Sequence, residues 1–157
     1  MLGKRLALAV NIVLLFINIS RMMTLFRWPI RVYYEDTDSG GVVYYANYLK
    51  FMERARTEWL RSLGCDQQRL REQQGLVFVV RAVNIDYHRP ARLDDALQVS
   101  VDIVKLRPAS LLFKQQVSKD TEVLLCSAEV RVACVDSHTL RPSALPAELM
   151  MEIQRGY

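Results

Sequence analysis

Two aspartates lie close together in the run Tyr34-Glu-Asp-Thr-Asp-Ser-Gly-Gly-Val-Val-Tyr-Tyr-Ala-Asn-Tyr48, the stretch in which the polar chemistry of the chain collects. Asp36 and Asp38 come just before Gly40-Gly41, a pair that lets backbone turn sharply or approach a ligand closely. The run leads directly into an amphipathic pattern that reads as a helix. A helix start presents unpaired N–H groups and a positive dipole end, an environment suited to a carbonyl oxygen that becomes an anion during reaction. A carboxylate beside such a tip can attack a carbonyl or draw a proton from water, and neither role needs histidine. The competing reading of both aspartates is as turn formers or caps.

The positioning element follows at once. Tyr48, Met52, Ala55, Trp59 and Leu63 recur at helical spacing, with Lys50, Glu53, Arg54, Arg56, Glu58 and Arg61 between them. Leu49, Phe51 and Leu60 broaden the apolar face, Asn47 is the expected cap, and Gly64 the stop. Before the helix, alternation from Phe26 through Trp28, Ile30, Val32 and Tyr34 predicts a strand, with Pro29 marking an edge or bulge. After it, residues 66–74 read as a polar connection. Alternating runs over Val77–Tyr87, Leu97–Ile103, Leu111–Val117 and Cys126–Cys134 read as strands, and Ala147–Gln154 as a tail helix. This order predicts an α+β fold with an antiparallel five-stranded sheet wrapped around one long central helix. An exposed apolar sheet edge would favour a homodimer.

Composition narrows the function. The 157 residues hold 21 Lys and Arg against 17 Asp and Glu, but Lys4, Arg5 and Arg21 belong to an acid-free stretch, leaving 18 against 17 afterwards. That balance gives no case for general nucleic-acid binding. Cys65, Cys126 and Cys134 form no metal-ligand or disulfide pattern, and His88 and His138 are the only histidines, so neither a metal centre nor a cofactor is expected. Reduced thiols suggest the cytoplasm. Asp38-Ser39-Gly40-Gly41 resembles a serine-protease nucleophile loop, yet Thr37 replaces the preceding Gly and both histidines lie downstream, so a serine hydrolase is excluded.

Residues 1–22 read as an apolar extension outside the domain of residues 23–157, with translation starting at Met22 or Met23. The run Leu6–Ile19 would span about 21 Å as a helix, against roughly 30 Å of hydrocarbon. A weak membrane-associating helix and a signal peptide are the alternatives.

Three blocks together carry a family resemblance: Arg31 to Tyr48, then Phe51-x-Glu-Arg-Ala-Arg-Thr-Glu58, then Ile85-Asp-Tyr-x-Arg-Pro-Ala-Arg-Leu-Asp-Asp95. They resemble the hotdog-fold acyl-CoA thioesterases of the 4-hydroxybenzoyl-CoA thioesterase class, nearest to the YbgC-type subgroup associated with the Tol-Pal envelope system. The resemblance implies that Asp38 is the catalytic carboxylate, acting as nucleophile or general base. It implies that the backbone N–H at Tyr45 polarises the thioester carbonyl, in a position where the nearest subgroup usually has His. Gly41, Val42 and Tyr44 would line the substrate site, and Lys105 and Arg107, with Arg89 and Arg92, are candidates for the phosphates of coenzyme A. The implied substrate is an acyl-CoA or an acyl carrier protein thioester, and the implied assembly is a homodimer or homotetramer with the site at a subunit boundary. The rivals are a non-catalytic acyl-binding scaffold peripheral to the inner membrane, anchored by residues 1–22, and a dehydratase. A dehydratase would require a histidine paired with a carboxylate.

Overall fold

The computed structural model describes residues 25–120 and 122–156. The expectations for residues 1–22 lie outside this range. In chain order the elements are β1 (Phe26–Arg31), α1 (Asn47–Ser62), α2 (Gln67–Gln74), β2 (Leu76–Tyr87), β3 (Ala96–Arg107), β4 (Ser110–Lys119), β5 (Val123–Asp136) and α3 (Ala147–Arg155). The five strands form one sheet in the order β1-β3-β4-β5-β2, with every neighbouring pair antiparallel. This is the α+β arrangement the alternation implies, and α1 lies on its inner face. Pro29 sits in β1 at one edge of the sheet, where its missing N–H costs the ladder nothing.

The apolar stripe of α1 forms the centre of the core. Tyr48, Phe51, Met52, Ala55, Trp59 and Leu60 are buried, and the Trp59 ring meets Phe113 of β4 edge-on at 5.4 Å between centroids. Each such side chain contributes about 1.5–3 kcal/mol through apolar burial. One inward position breaks the apolar rule. Gln115 of β4 is fully buried under α1, where it donates to the Met52 carbonyl at 3.1 Å and accepts from Arg56 at 2.7 Å. A buried amide is tolerated only when it is satisfied in this way.

Several local expectations change. β1 ends at Arg31, and the chain then takes a 3-10 turn at Tyr34–Asp36, so Tyr34 is 81% exposed instead of continuing the buried row. Leu49 is also exposed, because it falls to the side of the α1 stripe that faces away from the sheet. Asn47 does not cap the helix. Ala46 holds that position without a side-chain bond, and the Asn47 amide turns back to the Asp36 carbonyl at 2.9 Å. Residues 66–74 are a true helix, because the Asp66 carboxylate accepts from the Gln68 and Arg69 N–H groups and Gly75 closes the C-terminus at φ 64°.

A bulge in β2 keeps the apolar pattern facing the core. Val80 pairs with Val132 and Ala82 with Arg131, leaving Arg81 as the extra residue. Phe78 and Val80 before the bulge, and Val83, Ile85 and Tyr87 after it, therefore all stand on the helix side.

Candidate active site

The loop from Val32 to the start of α1 is held by backbone bonds to the β2–β3 connection. Val32 exchanges bonds with Asp94 and Asp95, and the Val43 N–H donates to the Ala91 carbonyl at 2.9 Å. The Tyr48 hydroxyl, inside the first turn of α1, accepts from the Ala91 N–H at 2.9 Å, and burial pushes this phenol's pKa up. The helix tip and the loop are thus fixed to the same short segment.

The two aspartates part company here. Asp36 is 4% exposed, and its carboxylate accepts from the Tyr33 N–H at 2.9 Å while its carbonyl accepts from Tyr44 N–H and the Asn47 amide. It is a structural brace. Asp38 is exposed on a hairpin-like turn closed by the Thr37–Val43 bridge. Its N–H donates to the Val42 carbonyl, its carbonyl accepts from Gly41, and its Oδ1 accepts from the Gly40 N–H at 2.8 Å. The second carboxylate oxygen has no protein donor among the described residues. Both glycines have work to do. Gly41 adopts φ +72°, and a Cβ at Gly40 would come within 3.0 Å of the Asp38 Oδ1.

At the tip of α1 the Tyr45 and Ala46 N–H groups have no acceptor among the described residues. The Tyr45 carbonyl accepts from the Tyr87 hydroxyl at 3.0 Å, which ties the tip to the end of β2. The Tyr45 ring lies 4.7 Å from Tyr44 and 6.2 Å from Tyr87, and both Tyr44 and Tyr45 are exposed. The Tyr44 phenol is shifted upward, first by hydrogen bonding with and charge on Tyr45, then by burial and by the Asp38 carboxylate. Asp38, Gly41, Val42, Tyr44 and Tyr45 therefore lie on one bonded loop that leads into the helix start.

The basic candidates divide. Arg89 and Arg92 lie two residues before and one after Ala91, in the segment bonded to Val43 and Tyr48. Lys105 and Arg107 occupy the opposite end of β3 from the Asp94–Asp95 contacts, about 33–40 Å away at roughly 3.3 Å per residue. One chain does not bring them to the loop. His88 bonds the Ser127 hydroxyl at 2.9 Å and His138 lies exposed beyond β5, so neither makes the carboxylate pairing a dehydratase needs. Among the described residues no three His, Cys, Asp or Glu side chains are grouped to hold a metal ion. Sequence reading did not anticipate the Tyr87–Tyr45 and Tyr48–Ala91 bonds, because contacts across such separations leave no local pattern.

A sheet curled on one buried helix, with a carboxylate-bearing loop at the helix tip, defines a thioesterase-like architecture. The chain belongs to the thioesterase-like superfamily, whose profile matches residues 32–153. It is 49% identical over 132 residues to the acyl-CoA thioester hydrolase YbgC of Escherichia coli O6:H1, covering 84% of this chain and 98% of that protein. The acyl-CoA thioesterase YbgC of Haemophilus influenzae is 51% identical over 124 residues, covering 79% and 90%. The crystal structure of a probable thioesterase from Bartonella henselae superposes with a TM-score of 0.74 at 37% identity, covering 78% of this chain and 99% of that one.

Proposed function

We propose that this chain hydrolyses acyl-CoA thioesters, with Asp38 as the reacting carboxylate and the Tyr45 N–H as the donor to the carbonyl oxygen. The observation that carries this reading is an exposed carboxylate on the loop that leads into the helix, whose first N–H groups have no acceptor among the described residues. Relatives named as acyl-CoA thioesterases at about half identity support the substrate class.

The chemistry needs no further group. As nucleophile, an Asp38 oxygen attacks the thioester carbon, the carbonyl oxygen takes the charge at the helix tip, and collapse expels the coenzyme A thiolate. Water then cleaves the resulting anhydride. As general base, Asp38 takes a proton from water, which attacks instead. A positioned acid or base is worth about 10²–10⁴-fold and one oxyanion donor about 10²–10³-fold, applied to an already activated ester. Arg89 and Arg92 are the bases best placed for coenzyme A phosphates on the same chain. Lys105 and Arg107 could serve only across a subunit seam. Acyl carrier protein thioesters remain an alternative donor, since the reacting carbonyl is the same.

We further propose a homo-oligomer joined at β2, acting in the cytoplasm. β2 is a sheet edge with Val80 52%, Val83 39% and Tyr87 45% exposed, a long apolar edge that invites a second copy. The three free thiols support a reducing compartment. No helix among the described residues is long and apolar enough to cross a membrane.

The test is thiol release from a panel of acyl-CoA substrates by wild type and Asp38→Asn. Loss of turnover of about 100-fold or more, with unchanged oligomer and melting, is expected. Activity within about tenfold of wild type would remove Asp38 from the chemistry. Binding of acyl-CoA with no turnover in the wild type would leave the scaffold reading in its place. Single turnover in ¹⁸O-water tests the nucleophile role, since label enters the Asp38 side chain when water attacks the Asp38 carbon of the anhydride, a species that a general base never forms.

A further inference from the structure

A cavity of about 80 Å³ lies between the later turns of α1 and the inner face of the sheet, away from the Asp38 loop. Its floor is apolar, built by Leu111, Phe113, Phe78 and Val80, while Glu53, Arg56, Thr57 and Gln67 supply polar atoms around it. Two hydrogen-bonded chains order those polar groups. Gln67 donates to the Thr57 hydroxyl at 3.0 Å, and Thr57 donates to the Glu53 carboxylate at 2.9 Å. Opposite them, Arg56 donates to Gln115 at 2.7 Å, and Gln115 is fixed in turn by the Met52 carbonyl at 3.1 Å and the Ser100 carbonyl at 3.4 Å.

Arg56 is unusual for its setting. It is half-buried, its guanidinium pKa is drawn down by burial and partly restored by Glu53, and no carboxylate pairs with it among the described residues. The rest of its fork has no protein acceptor, and the buried Gln115 behind it leaves the side chain little freedom to swing into solvent. A donor held beside an apolar floor, with an acceptor in the same wall, is a recognition pair for a small oxygen-bearing group.

Size and placement say which group. An apolar cavity of about 150 Å³ accommodates benzene. The present one, about half that volume, fits a few heavy atoms. Along one copy of α1, Glu53 lies about 12 Å beyond Tyr45 at 1.5 Å per residue, farther than a short acyl group extends from its carbonyl. Pairing two copies through β2 closes that gap. A twofold axis normal to the sheet sets the two α1 helices antiparallel on one face, so the tip of one lies beside the later turns of the other. Phe78 and Val80, on the floor of the cavity, belong to the strand that forms this seam.

We infer that Arg56, held by Gln115, is a specificity-determining residue, and that its cavity receives the outer carbons of a short acyl group whose thioester sits at the partner copy's helix tip, selecting for a group that bears a hydroxyl or carbonyl oxygen there. This rests on the thioesterase reading above. A hydroxyl can accept from Arg56 and donate to Glu53. A methylene in the same place leaves the partly buried Arg56 donor without a ligand partner, the kind of mismatch that sites built for hydrogen bonding reject.

The experiment compares kcat/KM for 3-hydroxybutyryl-CoA and butyryl-CoA, which match in chain length, in wild type, Arg56→Met and Arg56→Lys. Wild type is expected to favour the hydroxylated substrate by about tenfold or more. Arg56→Met should bring the two to within about twofold by slowing the hydroxylated substrate more than the other, and Arg56→Lys should fall between. No preference in wild type overturns the inference, as does a preference that persists in folded, oligomeric Arg56→Met. If Arg56→Met does not fold, the wild-type ratio and Arg56→Lys decide. Hydrolysis of neither these two nor any other acyl-CoA by wild type would instead refute the thioesterase reading itself.

Discussion

Asp36 and Asp38 are the same residue type two positions apart, and their surroundings differ: the first is buried and the second exposed. Asp36 is buried against the Tyr33 N–H, so Asp36→Ala should lower unfolding free energy by about 1–3 kcal/mol, through the unpaired donor it leaves, as read by denaturant titration. Asp38 is exposed and bonded only to its own turn, so Asp38→Asn should leave that titration unmoved while removing turnover. A variant pair with the effects exchanged would reverse the assignment. The sequence made the block legible, because an acidic pair, two glycines and a helix start are all local features. It could not choose between the aspartates on physical grounds alone, since the partners of Asp36 are set by how the loop folds back on itself. Asn47 shows the same limit. Its cap-like position is evident in the chain, but its amide is drawn to the Asp36 carbonyl instead.

Strands and helices were legible where periodicity is unbroken, and the departures are where one residue changes a face. The alternation Leu111, Phe113, Val117 passes through Gln115, and only the structure gives the reason a polar side chain can occupy that buried position: α1 and β3 offer carbonyls to it. Residues 66–74 lack an apolar stripe apart from Leu70, so their helix is carried by the Asp66 cap and the Gly75 turn more than by burial. In β2 the bulge that takes up Arg81 is what keeps Phe78 and Val80 on the same face as Val83, Ile85 and Tyr87. Deleting Arg81 together with Ala82 would make Val80 and Val83 neighbours, so a regular ladder would turn one half of the strand inside out. The expected cost exceeds about 4 kcal/mol, in the range of core disruption, and should appear as loss of cooperative thermal unfolding. Arg81→Ala, which keeps the bulge, should cost little. Equal behaviour of the two would mean that the bulge does not set the face.

Across the whole molecule, charge and the open sheet edge set the remaining behaviour. Burial raises the Asp95 carboxyl, but the Lys119 bond at 2.6 Å and the Arg92 N–H outweigh it, and the net shift is downward. Asp136 is lowered as well, first by the Thr139 N–H, and Asp66 first by the Arg69 N–H. Carboxyls with depressed folded values stabilise the fold above their unfolded value of about 3.9, and that contribution is lost as pH falls through the folded values. Melting temperature should therefore be flat from about pH 5 to 8 and fall below about pH 4, with a shallower fall in Asp95→Asn. The β2 edge answers a different question, whether the site needs two copies. Val83 is partly exposed near the middle of that strand, so a β2–β2 seam would bring the two copies of Val83 close to the twofold axis. Val83→Lys then sets two like charges against each other where each chain alone meets only solvent. Sedimentation velocity should show this variant as a folded monomer with an unchanged circular dichroism spectrum. If the cavity beside α1 is reached only from the partner's helix tip, its turnover should fall by about tenfold or more even at saturating protein concentration. A monomer with wild-type turnover would make each chain a complete enzyme, and an intact dimer would place the seam on another surface.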